Sequence, residues 1–153
     1  MGRRMYEYLK VLLEMEMEGM EIIRTLDVAK RLSVSPSTVT EMFKKLSKRN
    51  HIQYIPYKGI RLTEEGRKLA RQLLRNHRIL EVFMVEFLGY NVEKACTEAA
   101  NMDFVVSEEF INRICKLLNH PSTCPHGKPI FSDERCCKRV REEKDEVVTA
   151  AEP

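Results

Sequence analysis

From Thr25 to Leu62 the chain reads TLDVAKRLSVSPSTVTEMFKKLSKRNHIQYIPYKGIRL, and this stretch constrains the fold more than any other. Thr25 is placed to cap a first helix with Asp27 in its first turn, where a negative charge suits the helix dipole, and Leu26, Val28, Ala29 and Leu32 supply its apolar face. Ser33-Val34-Ser35 interrupts the pattern. Pro36 then follows the hydroxyl of Ser35, a position where proline is tolerated, and Val39, Met42, Phe43 and Leu46 recur at helical spacing. Ala29 is small where two helices must cross closely, and Ser33 stands where a glycine commonly eases the turn. Ile52 to Ile55 and Ile60 to Leu62 read as short strands around Pro56-Tyr57-Lys58-Gly59. The spacing predicts a helix-turn-helix followed by a β-wing.

The polar face of the second helix points to a nucleic-acid partner. Ser35, Ser37, Thr38, Thr40 and Glu41 are short or hydrogen-bonding groups at its start, the end that enters the major groove when such a unit docks on duplex DNA. Lys44, Lys45, Lys48 and Arg49 follow, and long cations at the far end reach phosphates, setting affinity and register. Lys58 and Arg61 on the wing are placed to touch the backbone beside the groove. Hydroxyl clusters and lysine runs also occur on ordinary solvated helix faces, so it is the wing that gives the assignment its weight.

Charge is distributed in the same sense. Residues 1–80 hold 17 Lys or Arg against 9 Asp or Glu, a balance of +8, whereas residues 81–153 hold 9 against 14, a balance of −5, together the +3 of the whole. The basic half is expected to face nucleic acid. No run reaches the roughly 18 apolar residues of a membrane span, and no apolar signal core opens the chain, so a cytoplasmic protein without a membrane partner is expected. Five cysteines, an odd number, then argue for thiols or metal ligands over a disulfide framework.

Around the winged unit the chain reads as mostly α. An amphipathic helix is expected from Met5 to about Met17, with Tyr8, Leu9, Leu12, Leu13 and Met15 on or near its buried face. Thr63-Glu64-Glu65-Gly66 starts a long helix from Arg67 to Phe87; Val92 to Met102 is another, and Ser107 caps a third from Glu108 to Leu118, stopped by Asn119-His120-Pro121. Pro121 to Cys137 is irregular. The expected organisation is a winged helix-turn-helix domain over 1–66, a linking helix plus a small all-helical dimerisation and metal- or cluster-binding domain over 67–137, and a charged, disordered tail over 138–153.

This order of elements, with Asn76-His77-Arg78 on the long helix, LGYNVEKACTEAANMDFVVSEEF after it and HPSTCPHGKPI in the loop, resembles the diphtheria toxin repressor and manganese transport regulator family over about residues 5–130. The resemblance implies a homodimer that binds pseudo-palindromic operators in double-stranded DNA when divalent iron or manganese is bound. By the same resemblance His77 and Glu81 match ancillary metal ligands, and their i, i+4 spacing puts imidazole and carboxylate on one helix face. Cys96 falls where the family usually has a histidine. Glu7 matches a ligand on the first helix and Asp103 a family glutamate, so both are possible metal ligands. Ala100 and Phe104 stand where the family places ligands, and neither can coordinate, so the family's primary site is expected to be absent.

Cys124, Cys136 and Cys137 supply thiols in the loop. Grouped with His77, Glu81 and Cys96, they suit iron, as Fe2+ or an iron–sulfur cluster, or Zn2+, better than Mn2+, which prefers oxygen donors. Cys115 reads as a small core residue, His126 as a hydrogen-bonding surface residue, and His51 and His120 as turn and helix-end residues. No enzyme is expected: Cys124-Pro125-His126-Gly127 lacks the second thiol of a redox loop, and no phosphate-binding glycine loop or serine elbow is present. The expectation is an iron-responsive DNA-binding transcriptional repressor. Its rival is a metal-independent winged-helix DNA binder controlled by a partner or by thiol redox state.

Overall fold

The computed structural model describes residues 1–137, and the expected tail over 138–153 lies outside the described residues. The chain divides into two compact units, one from Met1 to Leu73 and one from Leu74 onward. The described elements run in the order α1 (Arg3–Met17), α2 (Thr25–Leu32), α3 (Pro36–Lys48), β1 (Ile52–Ile55), β2 (Gly59–Leu62), α4 (Glu64–Leu88), α5 (Val92–Met102) and α6 (Glu108–Leu117). None of the described helices is long and apolar enough to cross a membrane.

In the first unit the helix-turn-helix forms as its punctuation dictates. Ser35 caps α3 by accepting the Thr38 N–H at 3.3 Å, and Pro36 occupies the first turn. Ser33 takes the left-handed conformation at φ 54°, the position a glycine would occupy without strain. The cap of α2 differs from the expectation. Arg24 is its N-cap, without a side-chain hydrogen bond, and reaches forward to Asp27 at 3.0 Å, so Thr25 is the first helical residue. Leu26 is 63% exposed, because α2 is short and buries only Val28 and Ala29. On α3, Val39, Met42, Phe43 and Leu46 are all buried.

The wing pairs Ile52 with Leu62 and Ile55 with Gly59 in an antiparallel ladder. Ile23 adds a single bridge to Ile60, exchanging two hydrogen bonds of 2.8 Å, which ties the segment before α2 to the sheet. That approach is why position 59 is glycine: a Cβ there would lie 2.4 Å from the Ile23 carbonyl oxygen, at φ 145°. Thr63 opens α4, its hydroxyl donating to the Asn50 carbonyl at 2.6 Å and accepting the Gly66 N–H at 3.0 Å. The unit boundary falls inside α4, beyond its start, because its first turns pack within the first unit: Gly66 lies against the His51 backbone, Arg67 forks onto Glu16 at 2.6 and 3.0 Å, and Ala70 and Leu73 are buried.

In the second unit Asn91 caps α5 and Ser107 caps α6, each accepting a backbone N–H from three residues on. Ile79, Leu80 and Met84 of α4, Ala95 and Ala99 of α5, and Ile111, Ile114 and Cys115 of α6 form one core. After α6 the backbone turns through two consecutive left-handed residues, Asn119 at φ 57° and His120 at φ 54°. The loop then folds back at Thr123 and Pro129, with a tight turn in which Gly127 N–H donates to the Cys124 carbonyl at 2.8 Å. Two buried arginines of α4 hold this loop by its carbonyls, Arg78 donating to Pro129 at 2.6 Å and Arg75 to Phe131 at 3.1 Å. A guanidinium directed at carbonyl oxygens makes the charge-assisted bonds that an irregular loop cannot supply itself.

Candidate functional site

His77 and Glu81 project from successive turns of α4. The His77 Nδ1 lies 2.9 Å from Oδ2 of Asp103, a fully buried carboxylate just beyond α5. With that nitrogen donating to Asp103, the other, Nε2, presents its lone pair. It faces the Oε1 of Glu81 at 3.0 Å and the Sγ of Cys96 at 3.4 Å. Two acceptors aimed at each other in a buried place repel unless a proton or a cation lies between them. Glu81 is 2% exposed, and its second oxygen has an equally telling neighbour. His126 Nδ1 approaches Glu81 Oε2 to 2.9 Å, off the line a hydrogen bond needs, so that Oε2 is left without a donor among the described residues.

The donor atoms therefore form two triads that share one carboxylate, His77–Glu81–Cys96 and Glu81–Cys124–His126. Within each, the atoms lie within 4.8 Å of one another. Imidazole, thiol and carboxylate are the ligand types that suit zinc or divalent iron. Asp103 behind His77 is the outer carboxylate that fixes the tautomer and orientation of a metal-binding imidazole. The residues present thus fit a divalent metal.

Several expected site residues stand elsewhere. Cys136 and Cys137 do not join His77; they gather with Cys115 and His120 in a separate group whose donor atoms are also within 4.8 Å of one another. The reason is the left-handed turn after α6, which folds the chain back onto the last turns of that helix. Cys115 Sγ lies 3.4 Å and Cys136 Sγ 3.7 Å from His120 Nδ1, and Cys136 donates to the Asn112 carbonyl at 3.6 Å. Burial, and after it the neighbouring thiols Cys136 and Cys137, push the Cys115 thiol up to about 12 against the pull of Arg75. Burial also raises Cys136. Cys115 is thus both a core residue and part of a thiol group, and His120 is more than a helix end. Asp103 bonds the back of the His77 ring rather than the nitrogen that faces Glu81. Glu7 belongs to the first unit and pairs with Arg3 at 3.2 Å. His126 had the weakest signal in the sequence, since only the turn at Gly127 brings it over Glu81.

On the winged unit, Ser37, Thr38, Glu41, Lys44, Lys45, Lys48, Lys58 and Arg61 are exposed. The hydroxyls at the start of α3 are partly engaged: Ser35 Oγ lies 3.0 Å from Ser37 Oγ and 2.8 Å from Thr38 Oγ1. Thr40 departs from the expectation. Its hydroxyl donates to the Pro36 carbonyl at 3.0 Å, the back-bonding open to a threonine four residues on, so it is turned to its own helix. Glu41 pairs with Lys44 at 3.1 Å, and Arg61 forks onto Gln53 across the wing at 3.1 and 3.0 Å.

A winged helix-turn-helix followed by a helical unit with imidazole, carboxylate and thiol donors defines a class of DNA-binding regulators with a metal-ligating domain. Residues 1–60 match the family described as iron dependent repressor, N-terminal DNA binding domain, and residues 63–132 match iron dependent repressor, metal binding and dimerisation domain. An uncharacterised HTH-type transcriptional regulator of Methanocaldococcus jannaschii is 36% identical over 114 residues, covering 74% of this chain and 91% of that one. The iron-dependent repressor IdeR of Mycobacterium tuberculosis is 33% identical over 123 residues, 80% of this chain and 53% of the relative. Among solved structures, a manganese-dependent transcriptional repressor in complex with manganese aligns with TM-score 0.75 at 32% identity over 85% of this chain and 59% of that one. A hypothetical protein of Sulfolobus solfataricus aligns with TM-score 0.67 at 27% identity, over 86% of this chain and 100% of that one. The chain belongs to the iron-dependent repressor family, that of the diphtheria toxin repressor and the manganese regulators, whose members are transcriptional regulators and not enzymes. It spans about half the length of IdeR and nearly all of the Methanocaldococcus regulator.

Proposed function

We propose that this chain is a homodimeric transcriptional repressor whose affinity for a pseudo-palindromic DNA operator is set by divalent iron held at Glu81. The observation that carries the reading is the buried Glu81 carboxylate, with His77 Nε2 3.0 Å from one oxygen and His126 Nδ1 2.9 Å from the other. His77, Glu81 and Cys96 would hold the ion on one side, with Cys124 and His126 as donors on the other. Thiol donors favour iron or zinc over manganese. Within each triad the donor atoms are close enough to favour a single ion over an iron–sulfur cluster, whose sulfide-bridged core spreads its ligands farther apart.

When bound, the ion supplies positive charge between otherwise opposed acceptors and cross-links α4, α5 and the loop. Asp103 holds the His77 ring in the ligating tautomer. Arg78 keeps the loop bearing Cys124 and His126 seated through the Pro129 carbonyl. Because α4 carries His77 and Glu81 and also supplies buried residues to the first unit, a change in its order biases the state of the DNA-binding unit; the coupling equals the difference in metal affinity between the two states. In the DNA complex, Ser37, Thr38 and Glu41 read the groove while Lys45, Lys48 and Lys58 hold phosphates. Val105 and Phe110, exposed at 67% and 50%, are apolar groups available to a second copy, whereas Ile114 lies in its own core.

The test is selection of duplexes from a randomised library with anaerobically purified, iron-loaded protein, followed by anisotropy titrations with and without a chelator. The expected result is enrichment of a pseudo-palindrome whose binding weakens at least tenfold on iron removal and in His77→Ala. Equal affinity of iron-loaded and iron-free protein for the enriched duplex would overturn the reading.

A further inference from the structure

We propose that Cys115, His120, Cys136 and Cys137 form a second, separate metal site that binds zinc and clasps the end of the loop onto α6. These four residues bring three thiols and one imidazole to one place, with every donor atom within 4.8 Å of the others. Zinc bound tetrahedrally at about 2.3 Å from sulfur and 2.0 to 2.1 Å from nitrogen puts neighbouring sulfur and nitrogen ligands about 3.6 Å apart. The Cys115 and Cys136 sulfurs stand 3.4 and 3.7 Å from His120 Nδ1. The spacing that puts both sulfurs within hydrogen-bond reach of the imidazole nitrogen is thus also the spacing of ligands around one zinc ion.

The backbone is arranged to make the group. Cys115 is on the last turn of α6, and the two left-handed residues Asn119 and His120 fold the imidazole back over it. The His120 N–H donates to the Cys115 carbonyl at 2.8 Å, closing the turn. From the other side Asp133 accepts the N–H groups of both Cys136 and Cys137, at 3.1 and 2.8 Å, and so directs the adjacent cysteines from one short turn.

Charge supplies an independent argument. Arg75 is 2% exposed, and among the described residues its Nη1 and Nη2 have no hydrogen-bond partner, although the cation is close enough to act on Cys115 and Cys136. A buried guanidinium that bonds the Phe131 carbonyl through Nε alone and leaves both Nη atoms unpartnered is costly. Three thiolates around one Zn2+ carry a net charge of −1, which Arg75 neutralises. With four protein ligands the tetrahedron is closed, which is the form of a structural site and leaves no position for a substrate or a sensing exchange. The site shares no residue with the Glu81 triads and does not depend on the proposed regulation.

The test uses the full chain. Protein purified under reducing conditions is stripped, reloaded with zinc alone or Co2+ alone, and compared with His77→Ala/Glu81→Gln and with the quadruple variant that adds Cys136→Ser/Cys137→Ser to it. Zinc content is measured by mass spectrometry, and the cobalt form is read by its thiolate charge-transfer and tetrahedral visible bands. Wild type and His77→Ala/Glu81→Gln are expected to show the cobalt spectrum and keep a tightly bound zinc, while the quadruple variant that adds Cys136→Ser/Cys137→Ser to His77→Ala/Glu81→Gln loses both and retains the helical circular dichroism of the parent. A milder variant, His120→Cys, is expected to keep the metal and shift the charge-transfer intensity upward by about one third, as a fourth thiolate joins three. The proposal is overturned if the cobalt bands persist in the quadruple variant or vanish in His77→Ala/Glu81→Gln. It is also overturned if the reduced wild type takes up no zinc at this site, or if Cys115 is found disulfide-bonded to Cys136 in protein kept reduced.

Discussion

Replacing Asp103 with Asn tests the metal reading at a residue that need not touch the ion. Asp103 is fully buried, its Oδ2 lies 2.9 Å from His77 Nδ1, and its own carbonyl accepts from Asn76 Nδ2 at 2.9 Å, so the side chain is fixed before any ion arrives. Asn is nearly isosteric, and its carbonyl oxygen can still accept from Nδ1–H. What is lost is the negative charge that makes His77 a stronger donor, together with the bias against the wrong tautomer. Outer-shell changes of this kind cost about 10- to 100-fold in metal affinity, which is about 1.4 to 2.8 kcal/mol. Asn should sit near the lower bound and Ala, which leaves Nδ1–H in a buried place without its acceptor, near the upper. Affinity is read anaerobically by competition with a chromophoric chelator, with thermal melting of the metal-free proteins as the control for folding. If Asp103→Asn and Asp103→Ala bind iron as tightly as wild type while His77→Ala does not, the positioning argument is wrong. If none of the three changes affinity, the ion is not at His77.

Three further perturbations reach other parts of the chain. Lys45→Ala should weaken operator and random duplexes alike and reduce the slope of log K against log salt by about 0.9, the amount for one phosphate contact, whereas Thr38→Ala should narrow the difference between the two duplexes with the slope unchanged; isotherms at several salt concentrations separate them. Gly66→Ala places a Cβ 2.0 Å from the His51 carbonyl oxygen, so the backbone must move, and a loss of about 3 kcal/mol in denaturant unfolding is expected; an unaltered midpoint would mean that α4 does not pack there as described. Phe110→Glu with Val105→Asp puts charge on two exposed apolar positions and should convert the dimer to monomer in sedimentation velocity at micromolar concentration, with helix content kept.

The winged unit was legible because its signals are local. Ser35-Pro36 marks a helix start whatever surrounds it, and Val39, Met42, Phe43 and Leu46 describe a buried stripe that the fold preserves. His77 and Glu81 were legible for the same reason, one helical turn apart. The groupings of the thiols were not, because they depend on where the loop returns. Nothing in the letters CPHGKPIFSDERCC says that a turn at Gly127 will carry His126 to Glu81, or that left-handed residues after α6 will take Cys136 and Cys137 to Cys115. The hydroxyl of Thr40 was hidden at a still smaller scale. Its position on α3 faces outward by periodicity, but a threonine hydroxyl has a carbonyl one turn back always within reach, and here it takes it.

Glu81 is a single carboxylate standing at the centre of two triads, with one oxygen turned to each. The two halves are therefore tied together through one side chain. A drift in His77 or Cys96 leaves Cys124 and His126 an intact carboxylate to work with, and the reverse holds, so either half can change its chemistry while the other persists. Replacing Glu81 with a residue that has no side-chain oxygen has no such refuge, since it removes an oxygen from both halves at once. The outer donors can be exchanged, thiol for imidazole or imidazole for thiol, only as long as that one glutamate is left alone.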